Sequence, residues 1–121
     1  MPTLIANLST GKGTWLEVIK IINSQSWDKI FLVTNDFGRD NFKPQANTEI
    51  IIIDTFQSTS QIAEKIKQQL QGKITDFEIA LNLASGSGKE HMALLETVLE
   101  LGLNFRLVTY DKNLEIMGIK R

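Results

Sequence analysis

Two glycine-rich segments contain the residue types best suited to bind an anion. The first comprises Ser9, Thr10, Gly11, Lys12 and Gly13, and the second comprises Ser85, Gly86, Ser87, Gly88 and Lys89. Glycine lets a ligand approach the backbone, hydroxyl groups donate hydrogen bonds, and lysine supplies positive charge. A helix that follows such a segment adds free N–H groups with a partial positive charge. We therefore predict that these residues bind a phosphate or a carboxylate, with a small nucleotide as the expected ligand, although either segment alone also fits a simple tight turn.

Neither segment matches a familiar nucleotide-binding motif. A P-loop ending at Lys89 requires glycine and a hydroxyl at the positions where this chain has Leu83 and Glu90. The first segment lacks the last glycine of a Gly-x-Gly-x-x-Gly sequence, because Leu16 stands at that place. These departures disfavour a P-loop NTPase and the standard dinucleotide-binding site.

Asn35 and His91 are further candidates for ligand contact. Asn35 follows the second predicted strand and carries an amide suited to a base or a ribose, while an asparagine at such a point is also a common helix cap. His91, the only histidine, falls in the first turn of the last predicted helix, where it contacts ligand, transfers a proton or is an ordinary surface residue. One histidine, no cysteine and unpatterned carboxylates indicate neither a metal nor another cofactor.

Five short apolar segments rich in β-branched residues predict strands. They run from Thr3 to Leu8, Lys29 to Thr34, Glu49 to Asp54, Phe77 to Leu83 and Phe105 to Tyr110. The third contains four consecutive isoleucines, and such a continuous apolar run predicts burial on both faces of a parallel sheet. The terminal sequence LEIMGIKR fits either a sixth strand or an edge addition.

Three amphipathic helices are predicted between these strands. The first has apolar residues at helical spacing from Trp15 to Ile22. The second begins near Ser58 or Ser60, since either side chain can cap it. The third extends from about Lys89 to Leu101 and has an apolar arc wider than contact with one sheet requires. A short additional helix is expected around residues 36–42.

The alternation of strands and helices predicts an α/β fold, with a Rossmann-like, doubly wound, mainly parallel sheet of five or six strands and helices on both faces. A strand order of 3-2-1-4-5 would place the first and fourth strands side by side, where the winding reverses. Because the carboxyl ends of parallel strands lie at one edge, both glycine-rich segments would then flank one crevice. We expect the ligand to bind in that crevice.

Length and composition indicate a single domain over residues 1–121. Hydrophobic residues make up 42% and charged residues 22%, a balance typical of globular proteins. With 13 basic and 14 acidic residues, the net charge of -1 does not favour binding to duplex nucleic acid or to a membrane surface. The lack of cysteine, of a basic leader and of a long apolar stretch predicts a cytoplasmic protein that is neither exported nor membrane-spanning.

The glycine-rich segments resemble the ligand-binding motifs of the CRISPR-associated Rossmann-fold (CARF) domains. The sequence from Leu8 to Gly11 resembles the hydroxyl-rich turn after the first strand of that family, and Asn82 to Lys89 resembles its Gly/Ser turn with a basic residue after the fourth. The family's second motif is Asp/Asn, any residue, Ser/Thr, three residues and Lys/Arg. Here Ala84 stands two places after Asn82, so the hydroxyl and the lysine are each displaced by one residue.

This resemblance, which covers most of the chain, implies a homodimeric sensor of cyclic oligoadenylate with a role in CRISPR antiviral defence. It implies ligand contacts by Ser9, Thr10, Ser85 and Lys89. Standalone members of the family are either sensors or metal-independent ring nucleases, in which Lys12 or Lys89 would stabilise the charge that develops during cleavage. The surplus apolar arc of the last helix predicts part of a dimer interface. The remaining hypothesis is an interaction protein that binds no small molecule.

Overall fold

A computed structural model describes residues 2–9 and 14–118, which form a six-stranded sheet with helices between the strands. The strands are β1 (Thr3–Leu8), β2 (Lys29–Thr34), β3 (Thr48–Ile52), β4 (Ile79–Asn82), β5 (Phe105–Tyr110) and β6 (Leu114–Ile116). The helices are α1 (Trp15–Asn23), α2 (Asp36–Asn41), α3 (Thr59–Leu70) and α4 (Gly88–Glu100). The predicted site residues Thr10, Gly11, Lys12 and Gly13 lie outside the described residues.

The strand order is β3-β2-β1-β4-β5-β6, which confirms the predicted reversal of winding between β1 and β4. Strands β1 to β5 pair in parallel, and β6 pairs antiparallel with β5. In this register Leu8 lies beside Thr34 of β2, and Ala6 lies beside Asn82 of β4. The carboxyl ends of the central strands therefore share one edge, and the predicted α/β, Rossmann-like fold is confirmed.

Alternate residues of the central strands point to opposite faces and build two apolar cores. On one face, Ile5 of β1 and Phe31 of β2 pack against α3 and α4. On the other face, Leu4 and Leu32 pack against α1, which contributes Trp15. Helices thus cover both faces of the sheet, and α1 and α4 leave the adjacent strands β1 and β4 on opposite sides.

Helices α3 and α4 lie side by side and are joined by polar contacts. The hydroxyl of Thr97 donates to the carbonyl of Ala63 at 2.9 Å in their buried interface. At the surface, Lys67 pairs with Glu100, and the hydrogen bond to that carboxylate raises the pKa of Lys67. These contacts join the second half of α4 to α3.

Strands β3 and β4 differ from the sequence-based expectation: β3 covers Thr48–Ile52 in place of Glu49 to Asp54, and β4 covers Ile79–Asn82 in place of Phe77 to Leu83. Strand β4 begins at Ile79 because Phe77 lies ahead of the sheet with its ring 88% exposed. Strand β3 is an edge strand, so Ile50 and Ile52 are half-buried instead of buried on both faces. An apolar run therefore identified β3 correctly as a strand and overstated its burial.

Replacing Leu94 with alanine is expected to lower the free energy of unfolding by about 2–5 kcal/mol, because Leu94 is fully buried and its truncation leaves a cavity. Leu16→Ala is the matched control: Leu16 is also helical but 57% exposed. Its loss should change stability by less than about 1 kcal/mol. Urea unfolding followed by circular dichroism measures both variants, and equal losses would contradict the assignment of Leu94 to the core.

Candidate functional site at the carboxyl edge

The turns that follow β1 and β4 meet at the carboxyl edge of the sheet. The N–H of Ser9 donates to Ser85 Oγ at 2.9 Å, and Ser85 Oγ donates to the carbonyl of Ser9 at 2.7 Å. Thr14, which precedes α1, donates its hydroxyl to the same Ser85 Oγ at 2.9 Å. Ser85 thereby joins the end of β1, the start of α1 and the turn before α4.

A buried carboxylate lies next to this contact. Glu90, in the first turn of α4, is only 2% exposed. Its Oε2 accepts hydrogen bonds from the N–H of Ser87 at 3.1 Å and from the hydroxyl of Ser87 at 2.8 Å. Its Oε1 accepts from the hydroxyl of Ser9 and from Asn7 Nδ2, the latter at 3.4 Å. These donors provide the hydrogen bonds that a buried carboxylate requires.

The N-terminus of α4 is partly satisfied by the protein itself. Ser87 and Glu90 form a capping box, in which Ser87 Oγ also accepts from the N–H of Glu90 at 3.3 Å. The side chains of Ser9 and Ser85 are fully buried, so their hydroxyls point into the protein. The solvent-facing side of this turn and of the first turn of α4 consists of residues that are at least partly exposed: Gly86, Ser87, Gly88, Lys89 and His91.

The turn before α4 fits closely against β1. Gly86 has a φ of +101°, and a Cβ at this position would lie 1.9 Å from Asn7 Nδ2. Asn7 Nδ2 also donates to the carbonyl of Ser85 at 3.1 Å, and His91 Nε2 lies 2.7 Å from the same carbonyl. Only glycine combines the left-handed backbone with this close approach.

Asn82, the first residue of the CARF-like motif, acts within the turn. Its Oδ1 accepts from the N–H of Ala84 at 3.2 Å, and its Nδ2 donates to the carbonyl of Val108 at 2.8 Å. Nδ2 also lies 3.1 Å from Glu17 Oε2, at the start of α1. Asn82 therefore orients the end of β4 relative to β5 and α1.

A cleft of about 560 Å³ opens beside Lys89, at the ends of β2 and β3. Its lining includes Asn35, the exposed rings of Phe37 and Phe56, and Lys65. The ammonium group of Lys89 donates to the carbonyl of Thr55 on the cleft wall at 2.9 Å. This hydrogen bond links the wall of the cleft to the start of α4.

The side chain of Asn35 caps a helix, which is one of the two roles that the sequence predicts for it. Its Oδ1 accepts from the N–H of Gly38 at 2.9 Å and caps α2. Asn35 also lines the cleft, so a role in ligand contact stays a prediction.

Lysine charge is available at this cleft. Neither Lys65 nor Lys89 takes part in an ion pair within the described part of the chain. The lining also carries two carboxylates: Asp36 is paired with Arg39 at 3.4 Å, and Asp54 accepts from the N–H of Phe56 at 2.9 Å. The two ammonium groups are thus able to bind an anionic part of a ligand.

Several site residues were not predicted from the sequence. Glu90 departs from the P-loop sequence and is not among the predicted site residues, yet the Ser87-x-x-Glu90 spacing is a capping-box signal. Phe56 and Lys65 line the cleft but are not among the site residues predicted from the sequence. For Phe56, the available signal is its position as an aromatic residue shortly after a predicted strand. Asn7 is buried within an apolar strand, and no signal in the sequence distinguishes it from an asparagine at the surface.

Comparisons of the sequence with known proteins give no relative: no family model matches the chain, and no curated protein matches it. Within residues 2–9 and 14–118, no cluster of His, Asp and Glu side chains is arranged to hold a metal ion. No helix in the same part of the chain is long and apolar enough to cross a membrane.

Gly86→Ala is expected to destabilise the protein by about 2 kcal/mol or more, because the substitution imposes both a strained φ and a clash with Asn7. Gly88→Ala is the matched control, since a Cβ at Gly88 meets nothing within 4 Å. That variant should be neutral or slightly stabilising, because Gly88 is a helical residue without positive φ. Thermal unfolding distinguishes the two, and equal tolerance at both positions would contradict the described turn.

Proposed function

We propose that the chain is a nucleotide-binding sensor domain whose ligand lies on the carboxyl edge of the sheet. The observation that carries this proposal is the contact between Ser9 and Ser85 at the point where the winding reverses. Open α/β sheets bind ligands at such a point, because the helices after the two adjacent strands leave on opposite faces and a crevice remains between the loops.

The charges and donors at this edge favour an anionic ligand. Ser87 and Gly88 are exposed at the start of α4, and Lys89 and Lys65 have no carboxylate partner among the described residues. The Lys89 ammonium group is hydrogen-bonded to a neutral carbonyl, that of Thr55. A phosphate oxygen would form a stronger, charge-assisted bond with the same group.

Among nucleotides we propose a cyclic oligoadenylate, on the resemblance of Leu8 to Gly11 and Asn82 to Lys89 to the CARF motifs. The second turn is one residue longer than the family's motif, and the left-handed Gly86 lies within it. We propose sensing as the function, with ring-nuclease cleavage as the alternative, in which the Lys89 ammonium group would stabilise the charge that develops during cleavage.

We further propose that the sensor is a homodimer formed through α4. Met92, Leu95 and Leu99 follow one another at i, i+3 and i+7 on the outer side of this helix, and Met92 and Leu99 are each 64% exposed. Together with Gly88 and His91 they form a shallow apolar surface. Since α4 begins at the ligand edge, an isologous pair with its two-fold axis along α4 would bring two such edges together, and cyclic tetra- or hexa-adenylate has the matching two-fold symmetry.

A ligand screen tests the nucleotide proposal. Of cyclic tri-, tetra- and hexa-adenylate, ATP and NAD, a cyclic oligoadenylate is expected to give the largest rise in melting temperature and the tightest binding by calorimetry. Lys89→Gln should weaken that binding by about tenfold or more, because a charge-assisted hydrogen bond is lost. Lys73→Gln, in the exposed turn between α3 and β4 at the opposite edge of the sheet, is the matched control and should bind like the parent.

The absence of a thermal shift with every compound would contradict the proposal and favour an interaction protein. Chromatography of the incubated ligand belongs in the same experiment. Linear oligoadenylate products would show that the domain is a ring nuclease and not only a sensor.

The dimer proposal is tested by placing a charge on the outer side of α4. Leu99→Asp is expected to convert a sedimenting dimer into a monomer, because burying an unpaired carboxylate at an apolar interface is costly. Leu16→Asp introduces the same charge at a similarly exposed leucine on the opposite face of the sheet and should leave the mass unchanged. A monomeric parent, or an unchanged mass for Leu99→Asp, would contradict pairing through α4.

A further inference from the structure

Phe56 has the most exposed ring among the large apolar side chains of the described residues, at 96%. It lies in the turn between β3 and α3, at the carboxyl edge of the sheet, and forms one wall of the cleft beside Lys89. A fully exposed phenylalanine gains no stability from burial in the monomer. Its position in a cleft points to contact with another molecule.

The turn that carries Phe56 is held by hydrogen bonds. The Asp54 carboxylate accepts from the N–H of Phe56 at 2.9 Å, and the carbonyl of Asp54 accepts from the N–H of Gln57 at 3.1 Å. Lys89 holds the intervening carbonyl of Thr55 at 2.9 Å. The ring therefore projects from an ordered backbone, so a molecule that packs against it meets a largely preformed surface and little ordering of the backbone is needed.

Phe37 provides a second aromatic ring on the opposite wall. Its ring packs against Trp15 with 5.7 Å between centroids and an interplanar angle of 55°, while 46% of the residue stays exposed. The next residue, Gly38, presses α2 against β2, since a Cβ there would lie 1.7 Å from Thr34 Oγ1. Phe37 is thus held close to β2 through α2, and the turn that carries Phe56 is held by Asp54 and by Lys89 of α4.

The space between these walls suits a planar ring with an attached anion. Its volume of about 560 Å³ falls within the range of small-molecule sites. The lining combines the two phenylalanine rings and the ammonium group of Lys65 with two carboxylates, of which Asp36 is paired with Arg39 and Asp54 accepts from the N–H of Phe56. Lys89 adds a second ammonium group through its hydrogen bond to the carbonyl of Thr55 on the cleft wall. Aromatic rings bind nucleobases by stacking, and lysines bind the adjoining phosphates.

We propose that this cleft is a nucleobase subsite, in which a purine base stacks on Phe56 opposite Phe37 while Lys65 and Lys89 contact the neighbouring phosphates. The inference rests on the proposed function and adds the place and the means of base recognition. Stacking explains why an exposed aromatic residue stands at this edge, and it favours purines because they offer the larger stacking surface.

The test compares Phe56→Ala with Phe77→Ala, a matched control at the amino-terminal edge of the sheet with a ring that is 88% exposed. Calorimetry with cyclic tetra-adenylate and with ATP is expected to show a loss of about tenfold or more in affinity for Phe56→Ala. Phe77→Ala should stay within about twofold of the parent, and Phe56→Trp should retain the affinity, because the larger ring also stacks.

A direct readout uses protein labelled with 4-fluorophenylalanine at its six phenylalanines. The 19F resonance of Phe56, assigned from its disappearance in Phe56→Leu, should shift when ATP or cyclic tetra-adenylate is added. It should not shift with ribose 5-phosphate, which carries the phosphate without a base. The resonance of Phe77 should not move with any of these compounds.

The outcomes separate this inference from the proposed function. A parent that binds nucleotide with an affinity unchanged in Phe56→Ala overturns the base subsite and leaves the sensor proposal intact. A parent that binds no nucleotide overturns both. Two results together overturn the subsite and assign the ring to a protein contact. They are a lower sedimenting mass for Phe56→Ala than for the parent, and a Phe56 resonance in the parent that nucleotides do not shift.

Discussion

Ser85 connects three parts of the fold through one hydroxyl group. That oxygen donates to the carbonyl of Ser9 and accepts from the N–H of Ser9 and the hydroxyl of Thr14, while the carboxylate of Glu90 accepts from Ser9 and Ser87. Because β1 and β4 are neighbours, these bonds join the turns that lead into α1 and α4. The close approach is possible only because Gly86 has no side chain to collide with Asn7.

The same turn has an inner and an outer side with different roles. Its inner side, with Ser85 and Glu90, is saturated with internal hydrogen bonds, which defines the shape of the edge. Its outer side, from Ser87 to Lys89, faces solvent and reaches across to Thr55. A ligand at this edge is therefore expected to lie over the outer side and toward the cleft between β2 and β3, where lysine charge and aromatic surface occur together.

The local sequence pattern predicted the strands and helices well, and the burial of their residues less well. The bounds of β1, β2 and β5 agree with the apolar runs because these strands are framed by polar or turn residues, whereas Phe77 is as apolar as a strand residue and lies outside β4. The order of the strands followed from general rules for parallel sheets. The half-burial of β3 did not follow, since an edge position is a property of the whole sheet.

At the candidate site, too, the local sequence indicates which residues are present, whereas tertiary contacts determine how their side chains are oriented. The meeting of Ser9 with the turn after β4 was predicted from topology, but residue type alone does not tell which hydroxyls turn inward. The inward position of Ser85 depends on contacts with residues more than 70 positions away in the sequence. The Phe56 cleft is likewise formed by two separate loops, so the sequence of either loop alone does not predict it.

Chemical-shift mapping tests the central claim, that ligand binds where the β1 and β4 turns meet. Cyclic tetra-adenylate is added to 15N-labelled protein, and the amide resonances are followed to saturation. The account predicts that the largest shifts occur at Ser87, Gly88 and the turn containing Phe56. Largest shifts around Phe77, at the opposite edge of the sheet, would contradict it, as would a spectrum that the ligand leaves unchanged.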